Sequence, residues 1–371
     1  MNFRRKIVLI FSTAYVPAIG GAERAVEEIT KRLGDQYSFV LVTARLSSAL
    51  PRREQIGMVD VFRIGIGTPM FDKILLAFFG ARAGERALGG KIADTVWGIM
   101  ASYGGLAALR YKEKHPSTRF LLTLQEGDDI SHIARRARWL GSRFKSIFAR
   151  ADAVQAISRY LAQWAQVMGT QALVTVVPNG VDIEKFNPPV GGRSSTSVKL
   201  ITTSRLVKKN AVDDSIRALA HLPKHVVLEV VGDGVERDNL ENLVRSLNLS
   251  GRVHFRGNIF PEDIPQALAN ADIFVRPSLS EGLGNSFLEA FAVGLPTIAT
   301  PVGGIPDFLI DGETGWFAEP RNPESIAACV RYILDPAHKE HVDRVTTAAR
   351  ALVETTYTWE SVAGQLKTLL S

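Results

Sequence analysis

Residues 188–196 read P-P-V-G-G-R-S-S-T, two prolines followed by glycines, one arginine and a hydroxyl-bearing run. Proline removes backbone donors and glycine loosens the chain, so neither helix nor strand propagates through such a stretch, and it reads as a linker. On both sides of it, short β-branched apolar runs alternate with stretches of helical apolar spacing. Before the linker the strand candidates are Lys6–Ser12, Phe39–Thr43, Phe120–Leu124, Ala153–Ile157 and Val174–Val177. After it the series restarts with Val198–Thr203, Val226–Val231, Val253–Arg256, Ile273–Arg276 and Thr297–Thr300. Continuous apolar strands separated by helices indicate parallel sheets covered on both faces. Two such series predict an α/β chain of two doubly wound, Rossmann-like domains, 1–188 and 189–356. Ligands are expected at the carboxyl ends of the strands, in a cleft between the domains.

Composition agrees. The 371 residues, 46% hydrophobic, exceed one ordinary domain and exclude a disordered chain. The single cysteine, Cys329, excludes an intrachain disulfide and a cysteine-based zinc site, and it fits a reducing, cytoplasmic compartment. The opening M-N-F-R-R-K-I-V-L-I-F-S has too short an apolar run for a leader and reads as a buried first strand. The longest apolar run elsewhere, Ile74–Phe79, is far below the roughly 20 residues needed to span a bilayer.

Charge is uneven. Residues 1–185 carry 26 Lys+Arg against 16 Asp+Glu, a net +10, while the remainder nets −4. The front half is therefore expected to meet an anionic partner, with a peripheral contact at the inner face of a membrane among the candidates. Its strongest local source is His132–Arg150, where Ile133, Ala137, Leu140, Phe144 and Ile147 fall at helical spacing among arginines. That stretch reads either as a basic helix lying on anionic lipid or as a core-facing helix with solvated arginines. Nucleic acid ranks last, because no aromatic-basic interleaving or helix-turn-helix pattern accompanies the charge.

Three stretches can carry chemistry. In P-A-I-G-G-A-E-R, just after the first strand, Gly20 and Gly21 precede a helix expected from about Ala22, with Val26, Ile29 and Leu33 buried. Bare N–H groups at such a helix start can receive a phosphate oxygen. In T-S-R-L-V-K-K-N, Arg205 leaves a strand end with Lys208 and Lys209 following, a cationic grip for phosphate. In S-E-G-L-G-N-S-F-L-E-A, Glu281 is expected in a loop after a strand ending near Pro277, with Asn285 or Ser286 capping the next helix. Glu289 falls one turn into that helix, so both acids can face one crevice.

Six stretches in order resemble glycosyltransferase family 4, the retaining nucleotide-sugar transferases of the GT-B fold. They are G-G-A-E at Gly20–Glu23, V-P-N-G-V-D at Val177–Asp182, S-R-L-V-K-K-N at Ser204–Asn210 and V-G-D-G-V-E-R at Val231–Arg237. The E-x7-E element with its tail G-L-P-T-I-A-T-P-V-G-G-I-P-D, and D-G-E-T-G-W at Asp311–Trp316, complete the set. The resemblance implies that Glu289 binds the ribose hydroxyls of a donor nucleotide and that Glu281 lies by the transferred sugar. Arg205 and Lys209, with Lys208 in reserve, would neutralise the diphosphate, because many relatives carry Lys where Asn210 stands. Backbone from Gly282, Leu283, Gly284 and Asn285, and from Gly20 and Gly21, would complete the donor site. The donor would be UDP- or GDP-linked, no cofactor or metal would be needed, and backbone near Arg256–Phe260 would meet the base. A C-terminal helix, about 357–371, would complete the N-terminal, acceptor-binding domain, with Val362, Leu366 and Leu369 on its inner face.

One stretch departs from the family. Where many members carry His, the loop T-L-Q-E-G-D-D has Gln125. Gln cannot titrate but can donate a hydrogen bond to the sugar. Glu126, Asp128, Asp129 and His132 are the acceptor-side candidates, with helix capping as the plain alternative. The leading expectation is transfer of a sugar to a hydroxyl acceptor, lipid-linked or on a surface polysaccharide precursor. A nucleotide-sugar epimerase and a silent nucleotide-sugar-binding partner subunit stay open, the latter favoured by Gln125.

Overall fold

The computed structural model describes residues 4–17, 20–137, 141–188 and 197–371, with the side chains of 134, 136 and 137 outside that description. The chain divides into two compact units, Met1–Asn179 with Trp359–Ser371, and Gly180–Thr358.

In the first unit the elements run β1 (Lys6–Ser12), α1 (Gly21–Leu33), β2 (Tyr37–Ala44), β3 (Arg53–Ile56), β4 (Val59–Ile64), α2 (Pro69–Ala87) and β5 (Thr95–Ile99). They continue with α3 (Tyr103–Lys114), β6 (Arg119–Leu124), α4 (Ile130–Ala137), α5 (Ser142–Ala149), β7 (Ala153–Ala156), α6 (Arg159–Val167) and β8 (Leu173–Val176). The described strands form an eight-stranded sheet in the order β3-β4-β2-β1-β5-β6-β7-β8. Only the β3–β4 pair is antiparallel, turned at Gly57 with φ +55°. β1 sits where the winding reverses: Val8 pairs with Phe39 of β2 on one side and Thr95 of β5 on the other. Its run Val8–Phe11 is fully buried, as a strand covered on both faces requires.

The second unit runs β9 (Val198–Thr203), α7 (Val212–Ala218), β10 (Val226–Val231), α8 (Arg237–Ser246), β11 (Val253–Gly257), α9 (Ile264–Ala269) and β12 (Ile273–Arg276). Then come α10 (Asn285–Ala292), β13 (Thr297–Ala299), β14 (Trp316–Phe317), α11 (Pro323–Leu334) and α12 (Lys339–Thr356). Its described strands are all parallel, in the order β11-β10-β9-β12-β13-β14. β9 and β12 flank its switch point, the end of an open α/β sheet at which ligands bind.

The last helix, α13 (Trp359–Leu370), belongs to the first unit. Trp359, Val362, Leu366 and Leu369 join the core made by β1 and α1, and the Leu370 and Leu369 carbonyls accept from Thr95 Oγ1 at 3.1 Å and Arg119 Nε at 3.0 Å.

Two expectations need adjustment. The division falls after Asn179, not after residue 188, because the chain joins the second unit early: Val181 N–H donates to the Tyr357 carbonyl at 2.8 Å. The linker at 189–196 lies outside the described residues. His132–Arg150 is not one helix. Gly141, at φ +55°, starts α5 as a separate helix after α4. Phe144 and Ile147 are buried, Lys145 is exposed, and Arg143 is exposed and paired with Glu113 at 2.6 Å; Leu140 and the Ala137 side chain lie outside the description. No helix among the described residues is long and apolar enough to cross a membrane.

Candidate functional site

At the carboxyl end of β9, Arg205 projects into solvent and its side chain makes no hydrogen bond or ion pair among the described residues. Its loop is held by backbone. Leu206 N–H donates to the Asp233 carbonyl at 2.9 Å, and Glu236 N–H to the Leu206 carbonyl at 3.0 Å. Gly232 makes that contact possible: it sits at φ +124°, and a Cβ there would lie 2.0 Å from the Ser204 carbonyl oxygen. The V-G-D-G stretch therefore positions the Arg205 loop through backbone hydrogen bonds and close approach. Lys208–Asn210 form a single 3-10 turn. Lys208 is exposed and Lys209 half-buried, and the Lys209 carbonyl accepts from Leu279 N–H at 2.6 Å. Asn210 is buried, and its Nδ2 donates to the Arg205 carbonyl at 2.7 Å.

At the end of the neighbouring β12 stands a residue that the sequence reading passes over. Arg276 Nη2 donates to Glu281 Oε2 at 2.5 Å and to Asn210 Oδ1 at 3.3 Å, and Nη1 donates to Ser286 Oγ at 2.7 Å. Its guanidinium also faces the Phe287 ring, 5.5 Å from the centroid. The Arg276 and Glu281 side chains are 11% and 10% exposed. The other Glu281 oxygen accepts from Gly282 N–H at 3.2 Å. Glu281 is thus an acid already matched by an internal cation. A charged residue closing an otherwise apolar strand is the signal that could have found Arg276.

The cap of α10 differs from expectation. Gly284, at φ +89°, is the N-cap, so neither Asn285 nor Ser286 holds that place. A left-handed glycine turns the chain directly into the helix, and the Ser286 hydroxyl is taken by Arg276. Leu283 is buried, so only its backbone is available to a ligand. Glu289 is half-buried one turn into α10. The glycines of the tail support Glu281 from behind: Gly304 N–H donates to the Glu281 carbonyl at 3.1 Å. Gly303, at φ +57°, would put a Cβ 1.9 Å from that oxygen. The Arg205 carbonyl and the side chains of Asn210, Arg276, Glu281 and Ser286 are therefore linked in one cluster of the second unit.

In the first unit, Gly20 is the N-cap of α1 in extended conformation and Gly21 opens the helix; residues 18 and 19 lie outside the description. Val26, Ile29 and Leu33 are buried. At the end of β6, Gln125 Oε1 accepts from Asn179 Nδ2 at 3.2 Å. Glu126 is 4% exposed. Its Oε1 accepts from Ala101 N–H at 2.6 Å, and Oε2 has no partner among the described residues. Burial raises its pKa from 4.5 to about 7, against the lowering effect of backbone donors and with Asp128 adding to the rise. Asp129 accepts from Ser131 N–H at 2.8 Å and His132 N–H at 3.3 Å, so it caps α4. Hydrogen bonding from the Ser131 hydroxyl holds its carboxyl below the ordinary value. Asp128 is half-buried and His132 exposed. Among the described residues no group of three His, Cys, Asp or Glu side chains is arranged to hold a metal ion.

Two family descriptions match the chain, Glycosyltransferase Family 4 over residues 19–185 and Glycosyl transferases group 1 over residues 184–352. The chain is 28% identical over 310 residues to the GDP-mannose-dependent alpha-(1-6)-phosphatidylinositol monomannoside mannosyltransferase of Mycolicibacterium smegmatis, covering 77% of this chain and 78% of that one. It is 27% identical over 338 residues to the amylovoran biosynthesis glycosyltransferase AmsK of Erwinia amylovora, covering 88% and 81%. The crystal structure of Anabaena HepE in complex with UDP and glucose matches with a TM-score of 0.79 at 19% identity, covering 99% of both chains. The two family matches meet at residues 184–185, a few residues beyond the division after Asn179. The chain belongs to glycosyltransferase family 4, nucleotide-sugar glycosyltransferases of the GT-B fold.

Proposed function

We propose that this chain moves a sugar, with retention of anomeric configuration, from a nucleoside diphosphate to a hydroxyl acceptor that is lipid-linked or part of a surface polysaccharide precursor. The observation that carries the donor side is Arg205, an exposed guanidinium without a partner among the described residues at the β9–β12 switch point. Arg205 and Lys209 take the diphosphate charge, and the backbone of residues 282–285 adds donors. Glu289 accepts from the ribose hydroxyls and Glu281, held by Arg276, from a hydroxyl of the transferred sugar. As the sugar–phosphate bond breaks, charge grows on the departing oxygen, where fixed cations lower the barrier most. The acceptor hydroxyl attacks from the departing side and gives its proton to the leaving phosphate, so no titrating group is required at position 125. Asn179 occupies the Gln125 carbonyl oxygen, which turns the Gln125 amide N–H groups to use as donors. The reading employs no metal or cofactor.

Support for the acceptor class comes from the named relatives, one acting on a phosphatidylinositol mannoside and one in polysaccharide biosynthesis. The basic first unit suits a peripheral contact with anionic lipid at the cytoplasmic face. The test is transfer from UDP- and GDP-sugars to extracted lipid-linked acceptors without added divalent ion, with the product anomer read by NMR. A product of inverted configuration would contradict retention. Gln125 favours one other reading, a silent binding subunit, which requires donor binding without turnover; an epimerase would convert donor with no acceptor present.

A further inference from the structure

Between helices α7 and α8 the second unit carries a groove of about 500 Å³ that the transfer reading does not use. Its volume lies in the range of small-ligand sites. Val212 and Leu240, both buried, and the half-buried Leu243 give it an apolar lining continuous with the core of the unit. Of the two lysines that follow β9, Lys208 lines the groove and Lys209 does not. Arg217 joins it from α7 and Arg321 from the turn after β14.

The charges in the groove are unequally matched. Of its two acids, Asp213 is paired with Arg321 at 3.0 Å, and Glu236 accepts from Asn239 Nδ2 at 3.1 Å. Arg321 also lies 3.5 Å from the buried Asp214. Lys208 and Arg217 are exposed, and their side chains make no hydrogen bond or ion pair among the described residues. Arg217 bears on the Asp214 carboxyl only through space. An anion is the partner these two cations lack, and phosphate is the one that guanidinium and ammonium groups grip best together. Helix α8 adds neutral groups with bonding capacity left over. Asn242 Oδ1 accepts from Arg245 at 2.5 Å, which leaves its amide N–H groups to donate. Ser246 Oγ donates to the Leu243 carbonyl at 2.8 Å, which leaves its lone pairs to accept. Donors and acceptors beside apolar carbons suit the hydroxyls and the ring face of a sugar.

The backbone is strained at two points of the rim. Ala211, just before Val212, has φ +47° and Arg321 has φ +59°, two of the four non-glycine residues in the left-handed region among the described residues. Such strain persists where the surrounding structure holds it, and it gathers at functional sites.

We propose that the α7–α8 groove binds a phosphorylated monosaccharide, with Lys208 and Arg217 on the phosphate and Asn242 and Ser246 on ring hydroxyls. The groove is separate from the donor cluster: none of Arg205, Arg276, Glu281 and Glu289 lines it. The test is isothermal titration calorimetry of the full chain with glucose 6-phosphate, glucose 1-phosphate, inorganic phosphate and free glucose. At least one hexose phosphate should bind with a Kd below about 1 mM and at least tenfold tighter than inorganic phosphate, while free glucose gives no saturable heat. Arg217→Gln should weaken that binding at least tenfold, and Ser246→Trp, which fills the groove, should abolish it, both with the melting temperature kept. Arg205→Ala should bind the hexose phosphate as the wild type does, so failure of the groove and failure of the donor site are separate results. Unweakened binding in either folded groove variant would overturn the proposal, as would equal affinity for inorganic phosphate or no binding of either hexose phosphate. Binding that Arg205→Ala removes would overturn it too, because the ligand would then sit in the donor site.

Discussion

Arg276 and Glu281 meet at 2.5 Å across the turn between β12 and α10, both nearly buried, with Ser286 and Asn210 taking further guanidinium donors. The pair explains how an acid is tolerated beside the proposed diphosphate site: its charge is matched before a ligand arrives. Removing one partner leaves the other buried and unpaired, which costs about 3–5 kcal/mol, whereas replacing both with apolar residues costs far less. Arg276→Met and Glu281→Leu should each lower the unfolding free energy on that scale. The double variant should lose less than the sum, as read by a denaturant double-mutant cycle. Additive losses would mean the pair is not coupled.

Arg205 should behave in the opposite way. Exposed and without a side-chain partner among the described residues, it contributes little to folding. Arg205→Ala should leave the melting temperature within a degree or so while lowering kcat by roughly 100-fold or more, the scale for losing one fixed donor to developing charge. A kcat unchanged with every donor would remove it from the diphosphate site.

The Gly303 position tests whether the donor loop depends on backbone shape. Residue 303 sits at φ +57°, and a Cβ there would lie 1.9 Å from the Glu281 carbonyl oxygen, so Gly303→Ala must displace the loop. The substitution should lower both stability and donor affinity. Gly251→Ala, where the surroundings are open, should do neither. Equal behaviour of the two variants would show that the loop is not set by this contact.

Glu126 sets a pH dependence. Its carboxyl titrates near 4.5 when the chain is unfolded and at about 7 in the fold. Between those values the folded state holds a proton that the unfolded state has lost, so stability falls as pH rises from about 4.5 to 7 and then levels. Glu126→Gln keeps the neutral, hydrogen-bonded shape and should remove that decline, leaving the variant the more stable protein above pH 7. Melting temperatures across pH 4–8 decide it; superimposable profiles would contradict the buried, protonated assignment.

Much of the scaffold was legible because buried parallel strands are continuous apolar runs. Lys6–Ser12, Val198–Thr203, Val226–Val231 and Ile273–Arg276 are strands at those residues. What escaped has physical reasons. β3 and β4 alternate polar and apolar residues at a sheet edge, and β14 is two residues long. The basic 132–150 segment keeps helical spacing across Gly141, where a left-handed φ breaks it. Within the candidate site, the places of Arg205 and Glu281 after strand ends and of Glu289 one turn into a helix were readable, while their roles remain proposals. Arg276 was not, because its partners come from two separate loops, one of them 66 residues away at Asn210. The outward face of α2 was visible only as the apolar run Ile74–Phe79, which sequence alone cannot assign to core or surface.

The donor site is tested most directly by a thermal-shift titration with UDP-, GDP- and ADP-linked sugars, on the wild-type chain and on Glu289→Ala. A ligand at 100 times its Kd adds about 2.7 kcal/mol to folding stability. One nucleotide class should raise the wild-type Tm by several degrees, and Glu289→Ala, folded and of similar basal Tm, should lose most of that rise. No rise with any nucleotide sugar, or an equal rise in the variant, would contradict the assignment of Glu289 and the second unit to the donor.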